Sequence, residues 1–359
     1  MDPVRNPFSP GAGTPPPELA GRDVLREHVR VALERAKRGL PARSALMVGL
    51  RGVGKTVLLD RMRGDAEGAG IQTIRIEAPE AKSLPAMLAP QLRLALLRLS
   101  HSAQAKNHAL RALRALAGFA KALKDKYKDI EVGIDYEPEP GLADNGDLEH
   151  DLQTLIEVVG AAAQSATTGI ALFVDELQYV EEEQLAALIT ALHRAAQRKL
   201  PVVLVGAGLP QLRGQMGRAK SYAERLFEFP VVGPLSSDDA KVAIVKPLEA
   251  EGVSIKRNAV ERIVRETHGY PYFLQEWGKH TWEVAQGSPF ETRMFWLPPP
   301  SQWQPWMRVS FACGSTASRL QRRSIYVRWQ NSGQVLIAQA ILQRSYADRS
   351  PHSAQRAMY

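Results

Sequence analysis

Residues 49–56 carry the clearest chemical signal in this sequence. Gly49-Leu50-Arg51-Gly52-Val53-Gly54-Lys55-Thr56 follows the pattern G-x-x-x-x-G-K-[ST]. The glycines let the backbone turn tightly and aim successive N–H groups at phosphate oxygens. A helix beginning at Lys55 adds the partial positive charge of its N-terminus. The Lys55 ammonium is a point charge that reaches β- and γ-phosphates, and the Thr56 hydroxyl is a hard oxygen ligand for Mg²⁺. The stretch from Gly49 to Val57 is therefore expected to bind ATP. An ordinary glycine-rich turn is the competing reading. The apolar run at 44–50 and the helical pattern at 55–64 favour phosphate binding, because the motif needs a strand before it and a helix after it.

A second set lies about 120 residues further on. The run IALFVDE at 170–176 puts Asp175 and Glu176 at the C-terminal end of an apolar strand, the edge where open α/β sheets bind ligands. Asp175 is expected to hold Mg²⁺, directly or through water. Glu176 is expected to orient and deprotonate an attacking water, in a hydrolysis that is mostly positioning and charge stabilisation. A solvated acidic turn looks the same in isolation, and the acids at 181–183 just beyond read as one.

The elements that must position these residues follow from periodicity. Apolar or alternating runs at 44–50, 71–76, 170–174, 201–205 and 227–232 read as strands, and 19–39, 55–64, 151–164 and 185–199 as helices between them. Residues 81 to about 128 look helical throughout, and 129–147 read as a loop or small hairpin. Strands alternating with helices predict an α/β fold, a doubly wound parallel five-stranded sheet. After Gly233, residues 236–251, 256–268 and 270–286 read as three helices, a small all-α lid. The expected organisation is a Pro/Gly-rich extension at 1–18 without a packed core of its own, a core at 19–233 with a helical insertion at about 81–150, a lid at 234–290, and a tail at 291–359.

Charge bounds the partners. The net charge is +8, but residues 292–359 hold nine Arg, no Lys and the single acid Asp348. The preceding 291 residues balance to zero, so the charge gives no support to nucleic-acid binding by the core. No run of 18 apolar residues predicts a membrane span. The single Cys313 and the lack of a signal pattern suggest a reducing cytoplasmic setting.

Together these residues resemble the AAA+ superfamily of P-loop ATPases, in its origin-recognition-type and STAND-like branch. The pieces are Ala20-Gly21-Arg22-Asp23, the GLRGVGKT loop (Walker A), LFVDELQ (Walker B), VVLVGAGLPQL at 202–212, ERLFEF at 224–229 and Gly269-Tyr270-Pro271. The resemblance spans roughly residues 6–288. It implies that Gly21 and Arg22 lie beside the adenine and that Pro271 helps close the lid over the nucleotide. It also implies that Arg225 is an arginine finger reaching a neighbouring subunit; an exposed helix residue with a solvated guanidinium is an equal reading. Two departures stand out. Gly206-Ala207-Gly208 replaces the usual polar group at the end of the fourth strand, and Tyr272 stands where many relatives carry a sensing Arg. Both argue for slow hydrolysis. The Leu/Arg/Lys-rich stretch at 110–128 is read as a helix face over the core in preference to a partner or nucleic-acid contact.

In such proteins a winged-helix domain commonly follows the lid, and residues 291–359 do not show one. Permitted codons for residues 305–322, read from the third base, can spell the family's usual join between lid and winged helix. The expectation is a change of reading frame near residues 290–292; a divergent basic tail is the other reading. The functional expectation is a switch that cycles between ATP and ADP, with Mg²⁺, self-association and a protein partner. The alternatives are an ATP-dependent DNA-binding or mobile-element protein, or a truncated product that binds ATP without further output.

Overall fold

The computed structural model describes residues 1–11, 13–78, 82–130, 136–285 and 287–291. Five parallel strands form one sheet: β1 (Ser44–Val48), β2 (Gln72–Glu77), β3 (Ile170–Asp175), β4 (Val202–Gly208) and β5 (Phe227–Glu228). Their spatial order is β2-β3-β4-β1-β5. Every residue of β1, β3 and β4 is buried, because helices cover both faces, and this is why these strands read as continuous apolar runs. Register aligns their C-terminal ends: Val48 lies opposite Gly208, and Glu77 opposite Asp175. The Gly49–Thr56 loop, the acidic pair and the Gly206–Gly208 segment therefore share one edge of the sheet, with β4 between β1 and β3.

The flanking helices are α1 (Asp23–Lys37), α2 (Lys55–Gly68), α3 (Leu84–Ser100), α4 (Lys106–Leu123), α5 (Leu148–Ser165) and α6 (Glu182–Gln197). The helical stretch expected from residue 81 onward is two helices broken by a turn, and Ser83 caps the first by accepting a hydrogen bond from Ala86 N at 3.3 Å. In α4, Leu113, Leu116, Phe119 and Leu123 are fully buried, so its leucines are core residues and its cations lie on the other face. Two short helices, α7 (Leu212–Ala219) and α8 (Ala223–Leu226), were not expected. The fifth strand is shorter than its apolar pattern predicts. Pro230 has no N–H to give, and β5 ends before it, yet its carbonyl accepts from Val48 N at 3.0 Å and Val232 N donates to Val48 O at 2.8 Å.

Beyond the sheet, α9 (Ser237–Ala250), α10 (Arg257–Thr267) and α11 (Pro271–Val284) enclose their own apolar cluster, including Ile244, Ile263, Leu274, Trp282 and Phe290. The N-terminal segment completes it. Phe8 is 2% exposed and sits against Gly278, where a Cβ would come within 2.5 Å of its ring. Around it, Asn6 Nδ2 donates to Lys279 O at 3.2 Å, Trp282 Nε1 donates to Asp2 O at 2.7 Å, and Arg5 pairs with Glu251 at 2.9 Å. Through Phe8 the extension is part of the core of these three helices.

Among the described residues no helix is long and apolar enough to cross a membrane. The expectations for the tail, including its frame and Cys313, fall on residues 292–359, outside the described residues.

Candidate functional site

The loop between β1 and α2 is shaped by its glycines. Gly52 and Gly54 take φ of +80° and +86°, values that a side chain disfavours. A Cβ on Gly49 would overlap the carbonyl oxygen of Val232, whereas one on Gly54 would meet nothing within 4 Å. Gly49 N donates to Gly208 O at 3.2 Å, which ties the loop to β4. Lys55 is 6% exposed, and its Nζ donates to the carbonyls of Gly49 and Leu50, each at 2.9 Å. Burial pushes its pKa down, opposed by the carboxylates of Glu176 and Asp175. Thr56 and Val57 are half-buried in the first turn of α2.

On the next strand but one, Asp175 is 1% exposed. Its Oδ1 accepts from Glu176 N at 2.9 Å, and its Oδ2 faces Arg75 Nη2 at 3.4 Å. Arg75 also pairs with Asp60 of α2 at 2.8 Å, so the guanidinium links β2, β3 and α2. Glu176 adopts a left-handed conformation, φ 53° and ψ 35°, which costs a non-glycine residue roughly 1–3 kcal/mol and persists only where the surroundings enforce it. They do so here: Tyr179 N donates to Glu176 O at 3.0 Å, and Gln178 Nε2 donates to the Glu176 carboxylate.

The end of β4 is not vacant. A Cβ on Gly206 would overlap Leu177 Cδ1, and one on Gly208 would stand 2.8 Å from Gln178 Oε1. The two glycines make room for the turn that follows Glu176. The polar group at this edge is thus Gln178, delivered from β3 and not from β4. Arg75 and Gln178 are the site residues that sequence reasoning left without a role. Gln178 could have been suspected from its place two residues after the acidic pair; Arg75 stands in an alternating strand and gives no local signal.

The helical cluster reaches the same edge. Pro271 opens α11, and Tyr272 N donates to Gly52 O at 3.1 Å. The Tyr272 hydroxyl donates to Glu276 Oε1 at 2.5 Å; burial, then this carboxylate, raises its pKa. Gly269, at φ +71°, lies where a Cβ would overlap Leu235 O. Arg22 donates to the carbonyls of Gly233 at 2.5 Å and Val53 at 3.3 Å, and burial lowers its pKa against the opposing pull of Asp239. Gly21, with φ +67°, packs against that same Asp239. Gly13 passes beside Thr56, with a Cβ position 3.5 Å from Thr56 Cγ2.

Arg225 is not brought to this set. It precedes Phe227, which pairs with Ser44 at the start of β1, so it lies exposed at the opposite edge of the parallel sheet.

The donor set suits a nucleoside triphosphate. Glycines with positive φ open the loop, a buried ammonium is held by two main-chain carbonyls, and a hydroxyl and a buried carboxylate stand ready for a hard cation.

A family model described as AAA ATPase domain matches residues 18–205. No curated protein matches the chain. Among solved structures, the Walker-type ATPase of Pyrococcus abyssi aligns with TM-score 0.48 and 17% identity, covering 88% of this chain and 80% of that one. The ORC1 protein of Aeropyrum pernix, solved in complex with DNA, aligns with TM-score 0.45 and 16% identity, covering 76% and 62%. The RuvB Holliday junction branch migration motor of Thermotoga maritima aligns with TM-score 0.40 and 16% identity, covering 77% and 67%.

Proposed function

Since the chain belongs to the AAA ATPase domain family, we propose that it is a nucleotide-controlled switch that binds ATP with Mg²⁺ and hydrolyses it slowly. The carrying observation is the shared sheet edge, where Lys55, held by loop carbonyls, lies under the influence of both Asp175 and Glu176. The N–H groups of the loop and the Lys55 ammonium bind the β- and γ-phosphates. Thr56 and Asp175 would hold Mg²⁺, which supplies neutralisation of phosphate charge. Glu176 accepts a proton from the water whose oxygen bonds to the γ-phosphorus. The bond from that phosphorus to the β-phosphate oxygen breaks, and ADP leaves with it.

Switching is supported by the hydrogen bond from Tyr272 N to Gly52 O, which joins α11 directly to the phosphate loop. Filling the loop therefore bears on the lid. Slow turnover is supported by Tyr272 at the position after Pro271, where no cation is offered from the helix N-terminus. Arg225, at the far edge of its own sheet, acts only on a neighbouring copy, and this motivates self-association. A cytosolic location and a protein partner belong to the same proposal. So does an out-of-frame origin for the tail: Phe290, fully buried against Trp282, lies beside the expected frame change, and the coding DNA tests it.

The test is ATP binding and turnover in wild type, Lys55→Ala and Glu176→Gln. Losing a charge-assisted contact worth ~1.5–3 kcal/mol weakens ATP binding roughly 10- to 100-fold in Lys55→Ala. Glu176→Gln keeps its affinity and loses turnover by roughly 10²- to 10⁴-fold. Equal affinity in wild type and Lys55→Ala overturns the assignment of the loop.

A further inference from the structure

Gln178 makes more connections at the reacting edge than a turn residue needs. It is 7% exposed. Its Nε2 donates to the Glu176 carboxylate. Its Oε1 accepts from Leu209 N at 3.0 Å, at the end of β4. Its main-chain oxygen accepts from Gln215 Nε2 at 3.2 Å, on α7. The next residue, Tyr179, accepts through its hydroxyl from Arg51 Nη2 of the phosphate loop at 2.9 Å. One turn thus joins the loop, the acid and the β4–α7 junction.

The chemistry of these contacts selects glutamine. Leu209 N is a donor, so the amide oxygen must face it, and the NH₂ is then turned to the carboxylate. A glutamate could accept from Leu209 N but has no hydrogen to give to Glu176, and it would repel it. Asparagine is one methylene too short to span both. Methionine fills the same volume and makes neither bond. The space for this side chain exists because residue 208 is glycine: a Cβ there would stand 2.8 Å from Oε1. Glu176 itself is in a left-handed conformation, so its aim depends on the groups that hold it.

We propose that Gln178 is a positioning residue for ATP hydrolysis, its amide fixing the Glu176 carboxylate to the β4–α7 junction so that movement of that junction re-aims the base. This rests on the hydrolytic reading above, with Glu176 as the catalytic residue. A carboxylate displaced by about an ångström loses roughly 100-fold in rate, because proton transfer and attack both depend on alignment.

The experiment compares full-length wild type, Gln178→Met, Gln178→Glu, Glu176→Gln and the double variant Glu176→Gln/Gln178→Met. Steady-state kcat and KM are measured together with ATP affinity by direct titration and the thermal midpoint. The expected result is a kcat roughly 10- to 100-fold lower in Gln178→Met and Gln178→Glu. KM and ATP affinity stay within about threefold of wild type, because the amide is engaged by the Glu176 carboxylate and Leu209 N. In the Glu176→Gln background, Gln178→Met costs nothing further, since the carboxylate it positions is gone.

A turn residue that only fills space would keep its kcat as methionine, or would lower turnover equally in both backgrounds; either result overturns the proposal. If Glu176→Gln is inactive while Gln178→Met turns over like wild type, the positioning role alone fails. If Glu176→Gln turns over like wild type, or wild type does not turn over at all, the hydrolytic reading fails and the proposal with it.

Discussion

β1 and β4 lie side by side, and both run out into glycine at the same edge of the sheet. Around Gly54 the place of a Cβ is open, with no atom within 4 Å. Around Gly206 it is already taken, by Leu177 Cδ1 and by Leu46 Cδ2 at 2.6 Å. Around Gly208 it is taken by Gln178 Oε1 and Leu212 Cδ2, each at 2.8 Å. The loop beyond β1 uses Gly54 to leave main chain uncovered for a ligand, although Gly49, the first glycine after the strand, is itself closed off by Val232 O. The end of β4 uses glycine so that the protein's own side chains can occupy the edge. In sequence both are short residues after an apolar run, and the difference between an open hollow and a filled one lies in residues far away along the chain.

Substitutions can break or sharpen this contrast. The largest effect is expected at the filled end. Gly206→Val forces Leu177 and Leu46 apart in a close-packed sheet, and overpacking of this kind costs roughly 3 kcal/mol, measured by denaturant unfolding. The open end responds differently. Gly54→Ala meets no atom, so its cost comes from the backbone alone, about 1–2 kcal/mol for a side chain at φ +86°. It also lowers ATP affinity, which Gly206→Val does not do directly, and a titration separates the two. The smallest effect has the opposite sign. Gly64 lies inside α2 with open space around it, so Gly64→Ala stabilises by about 0.5–1 kcal/mol and leaves ATP binding unchanged, a control for glycine replacement as such. A Gly206→Val protein as stable as wild type would show that the edge can yield, and the contrast would lose its physical basis.

Local signals were read well from sequence. The continuous apolar runs of β3 and β4 were visible because parallel strands buried on both faces need them. The glycine turn between β1 and α2 was visible because its geometry depends on eight neighbouring residues. What sequence could not give was occupancy. Gly206 and Gly208 were read as the loss of a polar group, and the turn at 177–179 that fills them is 30 residues away. Arg75 reaches Asp175 across 100 residues, and nothing in IQTIRI indicates a partner. The two helices in place of one after residue 84 were hidden by a composition that favours helix throughout. Pro230 shortened β5 through its missing N–H, an effect that was present in the sequence and outweighed by the apolar pattern.

The seat of Phe8 on Gly278 has a consequence for how the chain is made. Asn6 and Lys279, which bond beside it, are 273 residues apart. At ~5–20 residues per second, the ribosome releases the N-terminal segment roughly 14–55 s before its partner helix emerges. For that interval Phe8 lacks the surface of Gly278 on which it packs. A nascent chain arrested before α11 is complete would carry that aromatic residue exposed. The order of synthesis thus separates Asn6 and Phe8, by most of the described sequence, from the helix they pack against.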